Sequence, residues 1–225
     1  MTITNAKPVV SAGMDKSLTS GQSFNFAGSF SDAGVKDAPW GWSIAWGVGS
    51  STTGSTNTQG AISATGPRLC AAGNYTVTLS VTDKDGGTGS DDVKVTVGYS
   101  TVGISIMPGS SPTSIALAKK GVIPVAILST AAFDARTVDI ASIKLGDGVG
   151  ADVSVDQQKG RYQSRIDDVN GDGRLDMIVS FSVQELVARG DLTPATTTLV
   201  LRGFQGASGD SCINFGGTGT VRVVP

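Results

Sequence analysis

The chain contains no histidine. That removes Ser-His-Asp and Cys-His catalysis and every His-ligated zinc or iron centre. It also removes the side chain that ordinarily moves protons at neutral pH. Glutamate is nearly absent: 18 Asp stand against one Glu, Glu185. Glu suits helix interiors, whereas Asp suits turns and cation loops, so the imbalance predicts short strands joined by Asp/Gly turns. The only two cysteines, Cys70 and Cys212, are too few for a Cys-rich metal centre. They read either as a bond between the two domains set out below or as two free thiols. No apolar run is long enough to span a bilayer. A net charge of −2 without basic runs argues against a nucleic-acid partner. The opening Met1-Thr2-Ile3-Thr4 carries no secretory signal, so a secreted origin requires the chain to be a mature piece of a longer protein.

What is present is organised around one stretch, Asp168-Val169-Asn170-Gly171-Asp172-Gly173-Arg174-Leu175-Asp176. Asp168, Asn170, Asp172 and Asp176 occupy positions 1, 3, 5 and 9 of a D-x-N-x-D-G-x-x-D loop. Gly173 at position 6 permits the sharp turn, and the carbonyl of Arg174 at position 7 adds a backbone oxygen. Hard oxygens at this spacing repel one another unless a cation lies between them, and Ca2+ is the natural occupant. An EF-hand would carry a bidentate Glu at position 12, where this chain has Val179. The flanks are strand-like rather than helical: Tyr162, Ser164 and Ile166 precede the loop, and Met177, Ile178, Val179 and Phe181 follow it. The loop resembles the calcium turns of dockerins and integrin-type propeller repeats, here set between two strands. Asp167 is expected to point away from the cation. Glu185 is a candidate to fold back into the empty twelfth position. The plain alternative is an ordinary Asp/Gly hairpin.

A chain of 225 residues is long enough for two ordinary domains. Over residues 6–98, short alternating runs are separated by turn clusters. The runs are Ser23–Phe26, Trp42–Trp46, Tyr75–Val81 and Val93–Val97; the turn clusters are Gly47–Thr58 and Asp83–Gly87. This pattern argues for an antiparallel β-sandwich. Trp42-Ser43-Ile44-Ala45-Trp46-Gly47-Val48-Gly49-Ser50, with the later Gly73-Asn74-Tyr75-Thr76-Val77-Thr78-Leu79-Ser80-Val81-Thr82-Asp83, resembles a PKD domain. Val48 stands where that family usually has Asp. The resemblance implies an Ig-like sandwich acting as a spacer or binding module of a secreted protein, in some members an attachment module for polysaccharide or collagen. Trp42 and Trp46, alternate residues of one strand, read as core. A carbohydrate platform of Trp40, Trp42 and Trp46 is the alternative, with Trp40 its leading member.

After a joint at residues 98–101, residues 102–225 begin a new series. It comprises Ile104–Gly109, the doubly apolar Gly121–Leu128, Phe133-Asp134, the cation loop, a helical turn at Val183–Arg189, and strands at Thr198–Arg202 and Thr220–Val224. This series resembles a C-terminal module of secreted bacterial proteins that ends near V-R-I-V-P, here Val221–Pro225. The resemblance implies a second β-sandwich. Two further groups stand out. Asp147, Asp152 and Asp156 frame a Gly-rich loop that reads as solvated turn ahead of a second cation site. Arg189-Gly190-Asp191 spells an integrin-binding tripeptide and reads as a surface turn.

The fold class expected is therefore all-β, two consecutive antiparallel β-sandwiches. The function expected is a calcium-stabilised, non-catalytic module pair of a secreted or cell-surface bacterial protein, for spacing, adhesion or attachment to polysaccharide or extracellular protein. The rival expectation is a calcium-dependent hydrolase of phosphoesters or activated esters, in which the ion with an open coordination position activates water.

Overall fold

The computed structural model describes residues 5–34, 36–110, 113–118, 120–150, 152–206 and 212–224. Residues 1–4, together with Ala151 and Pro225, which the sequence reading used, lie outside that set. The backbone groups into two units, Met1–Gly98 and Tyr99–Pro225.

The first unit consists of β1 (Val9–Ser11), β2 (Lys16–Thr19), β3 (Gln22–Ser31), β4 (Trp40–Ala45), β5 (Ser51–Thr56), β6 (Gly60–Leu69), β7 (Gly73–Thr82) and β8 (Thr88–Gly98). They form a three-stranded sheet, β1-β3-β6, and a five-stranded sheet, β2-β8-β7-β4-β5. Alternation decides which side faces in. In β8, Val93, Val95 and Val97 are buried while Asp92, Lys94 and Thr96 are exposed, as the two-residue period of a strand requires. Pairing sets Val77 opposite Val93 and Tyr75 opposite Val95. The rings of Phe24, Phe26 and Trp46 meet edge to face, with centroids 6.1–6.3 Å apart.

In this unit the core reading of Trp42 and Trp46 prevails over the platform alternative, and one turn expectation is corrected. Trp40 is only 2% exposed, and its indole Nε1 donates to Asp32 Oδ2 at 2.8 Å. Trp46 is buried to the same degree. Trp40, Trp42, Ile44 and Trp46 share one parity and so one face, and that face is the core. No three-tryptophan platform is presented. The stretch from Gly47 to Thr58, expected as turn, contains β5. Its sequence Ser-Thr-Thr-Gly-Ser-Thr has no apolar period because β5 is an edge strand. Trp42 lies over it so closely that a Cβ on Gly54 would fall 2.3 Å from the indole. The turn before it is closed by Trp46 N donating to Ser50 O at 3.0 Å, with Val48 exposed at the tip.

The second unit consists of β9 (Ser100–Thr101), β10 (Ile104–Ile106), β11 (Ser114–Ala116), β12 (Val122–Ile127), a 3₁₀ turn (Ala135–Thr137), β13 (Val138–Gly146), β14 (Val153–Ser154), β15 (Gln157–Gln158), β16 (Arg161–Tyr162), β17 (Ser164–Asp167), β18 (Asp176–Ser182), α1 (Val183–Arg189), β19 (Thr198–Gln205), β20 (Ile213–Thr220) and β21 (Arg222–Val224). Two larger sheets, β10-β12-β18-β17 and β14-β13-β19-β20-β9, accompany two small two-stranded ones, β11-β21 and β15-β16. Val125, Ile127, Val179 and Phe181 of one large sheet share a buried cluster with Leu145, Leu199, Leu201 and Phe215 of the other. The molecule is all-β apart from α1 and the 3₁₀ turn, with sandwich-like sheet pairs. Three pairings, β2–β8, β9–β20 and β11–β21, are parallel, in contrast to a purely antiparallel expectation.

β12 is central, and Ile123, Val125, Ala126 and Ile127 are all buried, which explains its doubly apolar sequence. α1 begins at Ser182, whose Oγ accepts from Glu185 N, and ends at Gly190 in the left-handed region at φ 86°. Val183 and Leu186 anchor it in the core.

Candidate functional site: a hairpin loop and two acidic groups

β17 and β18 pair antiparallel with Asp167 opposite Asp176, so residues 168–175 form the hairpin connection. Gly171 and Gly173 take φ of 73° and 82°, a region that costs a side-chain-bearing residue free energy. Those two turns bend the chain around the Asp168 carboxylate. Its Oδ1 accepts from Gly171 N (2.8 Å) and Asp172 N (3.2 Å), and its Oδ2 accepts from Gly173 N (2.9 Å). Asn170 Oδ1 accepts from Asp172 N (3.1 Å), and Asp172 Oδ1 accepts from Arg174 N (2.8 Å). Asn170 Nδ2 donates to Asp172 Oδ2 at 3.2 Å. Asn170, Asp172 and Arg174 are exposed.

Asp176 differs from the others. It is 0% exposed. Its Oδ1 accepts from Ser129 N (2.8 Å) and its Oδ2 from Val169 N (3.1 Å). Ser129 Oγ in turn donates to the Leu175 carbonyl (2.7 Å) and accepts from Ala135 N (3.0 Å). Asp176 thus pins the base of the loop to the segment after β12, a role the nine-residue pattern did not announce. Asp167 is exposed and ion-paired with Arg165 at 2.6 Å. Glu185 lies in the first turn of α1. Asp168 Oδ1 accepts two amides, but Asp168 Oδ2 and both Asp172 oxygens accept one bond each and keep a second lone pair able to face a cation.

Among the described residues, carboxylate oxygens gather within 4.8 Å of one another in two other places. The first is Asp32, Asp37 and Asp83 in the first unit, which sequence alone does not disclose because Asp83 is distant in the chain from Asp32 and Asp37. Its charges are well supplied with donors. Asp32 accepts from Gly34 N and Trp40 Nε1. Asp37 lies 3.5 Å from Lys84 Nζ. Asp83 accepts from Asn5 Nδ2, Asp85 N and Gly87 N. Burial pushes the Asp83 carboxyl up, but the bonds from Asn5, Gly87 and Asp85 together hold it below its ordinary value.

The second place is Asp147, Asp152 and Asp191 in the second unit. Asp147 follows β13, Asp152 precedes β14, and Asp191 follows the helix cap Gly190. Asp156, which the sequence sets beside the first two, is not in the group; its backbone bonds to Ser180 and Gln163 instead. Asp191 is 4% exposed, so Arg189-Gly190-Asp191 is a helix C-terminus with its carboxylate turned inward, not a displayed surface tripeptide. Burial pushes the Asp152 carboxyl up, Arg202 pulls it down, and Asp191 and Asp147 push it up again, leaving it above its ordinary value. Burial likewise raises Asp191 against the pull of the Asp147 amide.

Beside this group a cleft of about 560 Å³ is lined by Tyr99, Lys144, Asp152, Arg202 and Asn214, among others. The Arg202 guanidinium sits 5.2 Å from the Tyr99 ring centre and donates to Gly148 O at 3.1 Å. Lys144 Nζ donates to Ser154 Oγ at 2.6 Å. Neither Cys70 nor Cys212 is a free thiol; both are in disulfide linkage. Among the described residues, no helix is long and apolar enough to cross a membrane.

Residues 12–97 match the family model of the K319L-like PKD domain. The PKD resemblance therefore holds over residues 12–97. A comparison with curated proteins gives no match. Three solved structures are similar at low identity. One is SGBP-B of the Bacteroides ovatus mixed-linkage glucan utilization locus, in complex with a mixed-linkage heptasaccharide, at 10% identity and TM-score 0.32, over 97% of this chain and 48% of that one. Another is a Ca2+-stabilised adhesin by which an Antarctic bacterium binds ice, at 15% identity and TM-score 0.31, over 98% of this chain and 50% of that one. The third is a bacterial ice-binding adhesin studied for cell-surface retention, at 14% identity and TM-score 0.30, over 99% and 67%. The chain spans about half the length of the first two.

Proposed function

From a first unit that matches a PKD domain, we propose that this chain is a non-catalytic module pair of a secreted or cell-surface protein. Its part is spacing, adhesion or attachment to polysaccharide or extracellular protein, and its second unit is stabilised by calcium at the 168–176 loop. The observation that carries the calcium reading is the shape of that loop. Two left-handed glycines and three amides fold it around the Asp168 carboxylate. The exposed oxygens of Asn170 and Asp172 and the carbonyl of Arg174 are then free of the core. Such a set of hard oxygens suits Ca2+ better than softer cations. Asp168, Asn170, Asp172, the Arg174 carbonyl and Asp176 would hold the ion, with Asp176 also fixing the loop from below through its two amide bonds. Val179, in the place of the EF-hand Glu, is fully buried in β18, so the site is left to carbonyls and water on that side. The extracellular reading is supported by the two cysteines, since disulfides persist chiefly in oxidising compartments.

A cation that binds only the folded state stabilises it by mass action. With a dissociation constant on the order of 10⁻⁴ to 10⁻³ M, as in extracellular modules, millimolar calcium should raise the melting temperature of the second unit and a chelator should reverse the gain. Asp172→Ala should erase the loop's share of that gain and leave the chelator-state melt almost unchanged. Identical melting curves for the native protein with calcium and with chelator would overturn the calcium reading.

A further inference from the structure

Asp191 and Asp152 present a problem that the 168–176 loop does not solve. Asp191 is more than nine-tenths buried, and its Oδ2 accepts no hydrogen bond; Asp152 Oδ1 is buried and equally without a partner. Buried carboxylate oxygens ordinarily have donors, and orphaned ones carry a desolvation cost. Here they are placed together, with Asp147 completing a trio of oxygens within 4.8 Å of one another. Within the trio, Asp147 N donates to Asp191 Oδ1 at 3.3 Å. Arg202 bonds Gly148 O and lies over the Tyr99 ring, and Lys144 donates to Ser154; Arg202 and Arg189 pull on Asp152 and Asp191 by charge, but neither donates a hydrogen bond to an orphaned oxygen.

The backbone is shaped to admit this convergence. Gly146, the last residue of β13, has a Cβ position only 2.4 Å from Asp152 Oδ1 and 3.0 Å from Asp191 Oδ1. Its φ is not left-handed, so glycine is needed there for space rather than for backbone freedom. Gly148 and Gly150, at φ 85° and 90°, turn the intervening loop so that Asp147 and Asp152 return to the same point. Gly190 at φ 86° ends α1 and delivers Asp191. Two chain reversals, the loop between β13 and β14 and the end of α1, thus bring three acids to one place in which two oxygens lack any donor.

We propose that Asp147, Asp152 and Asp191 form a second site for a hard divalent cation, Ca2+ in an extracellular setting, distinct from the 168–176 loop. A divalent ion supplies the missing partner of both orphaned oxygens and offsets most of the like charge. Oxygen-only donors fit Ca2+ or Mg2+ and exclude thiolate-seeking metals. The site also joins the end of α1 to the loop between β13 and β14, so its occupation ties together parts of the second unit that are distant in sequence.

The test counts calcium bound per folded chain by equilibrium dialysis, with free Ca2+ raised to about ten times the weakest constant usual for extracellular modules, on the order of 10 mM. The protein is compared with Asp172→Ala and with Asp191→Asn; the amide keeps the volume of Asp191 and the acceptor for Asp147 N. The expected counts are two, one and one. A single ion lost only in Asp191→Asn supports this site and overturns the loop reading. A single ion lost only in Asp172→Ala overturns this site and leaves the loop reading standing. No bound ion overturns both. Melting in chelator provides an independent readout. Asp191→Asn removes a buried like charge, so it should raise the chelator-state melting temperature while losing calcium, and Asp152→Asn should repeat that pattern. A variant that loses calcium because it is misfolded would melt lower instead, and two such variants would overturn the proposal.

Discussion

Asp172 and Asp176 are four residues apart and spelled alike, yet they do different things. Asp172 is exposed and bonds only within its own loop. Asp176 is fully buried and satisfies amides from two separate segments. Removing a partner from buried donors costs roughly 1–3 kcal/mol per group. Asp176→Ala should therefore destabilise the second unit by about 2–4 kcal/mol even in chelator, whereas Asp172→Ala in chelator should stay within about 0.5 kcal/mol. Urea melts of the two variants under chelation decide this; equal losses would refute the distinction. Asp83 gives a pH expectation of the same scale. Its folded pKa is depressed, so its share of stability is present above the unfolded value and is lost as pH falls below about 4. Asp83→Asn should flatten the acid limb of a stability-versus-pH curve measured by circular dichroism. A limb as steep as the native one would count against the assignment.

At the scale of elements, α1 shows how capping can be checked. Ser182 Oγ is the acceptor for Glu185 N at the helix start, and replacing such a cap with Ala costs about 1 kcal/mol. Ser182→Ala should lower the stability of the second unit by that amount and leave calcium counts untouched. The elements also show what sequence could disclose. β7, β8 and β12 were visible because Val, Leu and Ile sit at every second position or fill both faces. β5 and β20 were hidden. β5 is Ser/Thr/Gly with Trp42 covering its glycine. β20 reads Ile-Asn-Phe-Gly-Gly-Thr-Gly-Thr, and a Cβ on Gly217 or Gly219 would come within 2.6 Å of Ile104 or Ile106. There the apolar period is supplied by the neighbouring strand β10, not by β20 itself. The same reasoning covers the sites. The 168–176 loop is local, so its spacing could be read directly. The Asp147, Asp152 and Asp191 group depends on a helix end folding onto a strand end, and no spacing encodes that meeting.

At the scale of the whole chain, residues 1–98 coincide with a compact unit that contains the matched family domain. Its buried cluster is drawn from its own strands. Expressed alone, that segment should unfold in one cooperative transition; a broad, non-cooperative melt would show that it depends on the rest of the chain. The burial of Trp40 and Trp46 beneath this unit's sheets has a further, optical consequence. All three tryptophans of the chain lie in the first unit, and the proposed calcium sites lie in the second. Indole fluorescence therefore reports on the first unit alone, without any added label. Calcium should displace a calorimetric peak that has no counterpart in the fluorescence melt. A fluorescence midpoint that moved with calcium would mean that the ion is felt where the indoles are.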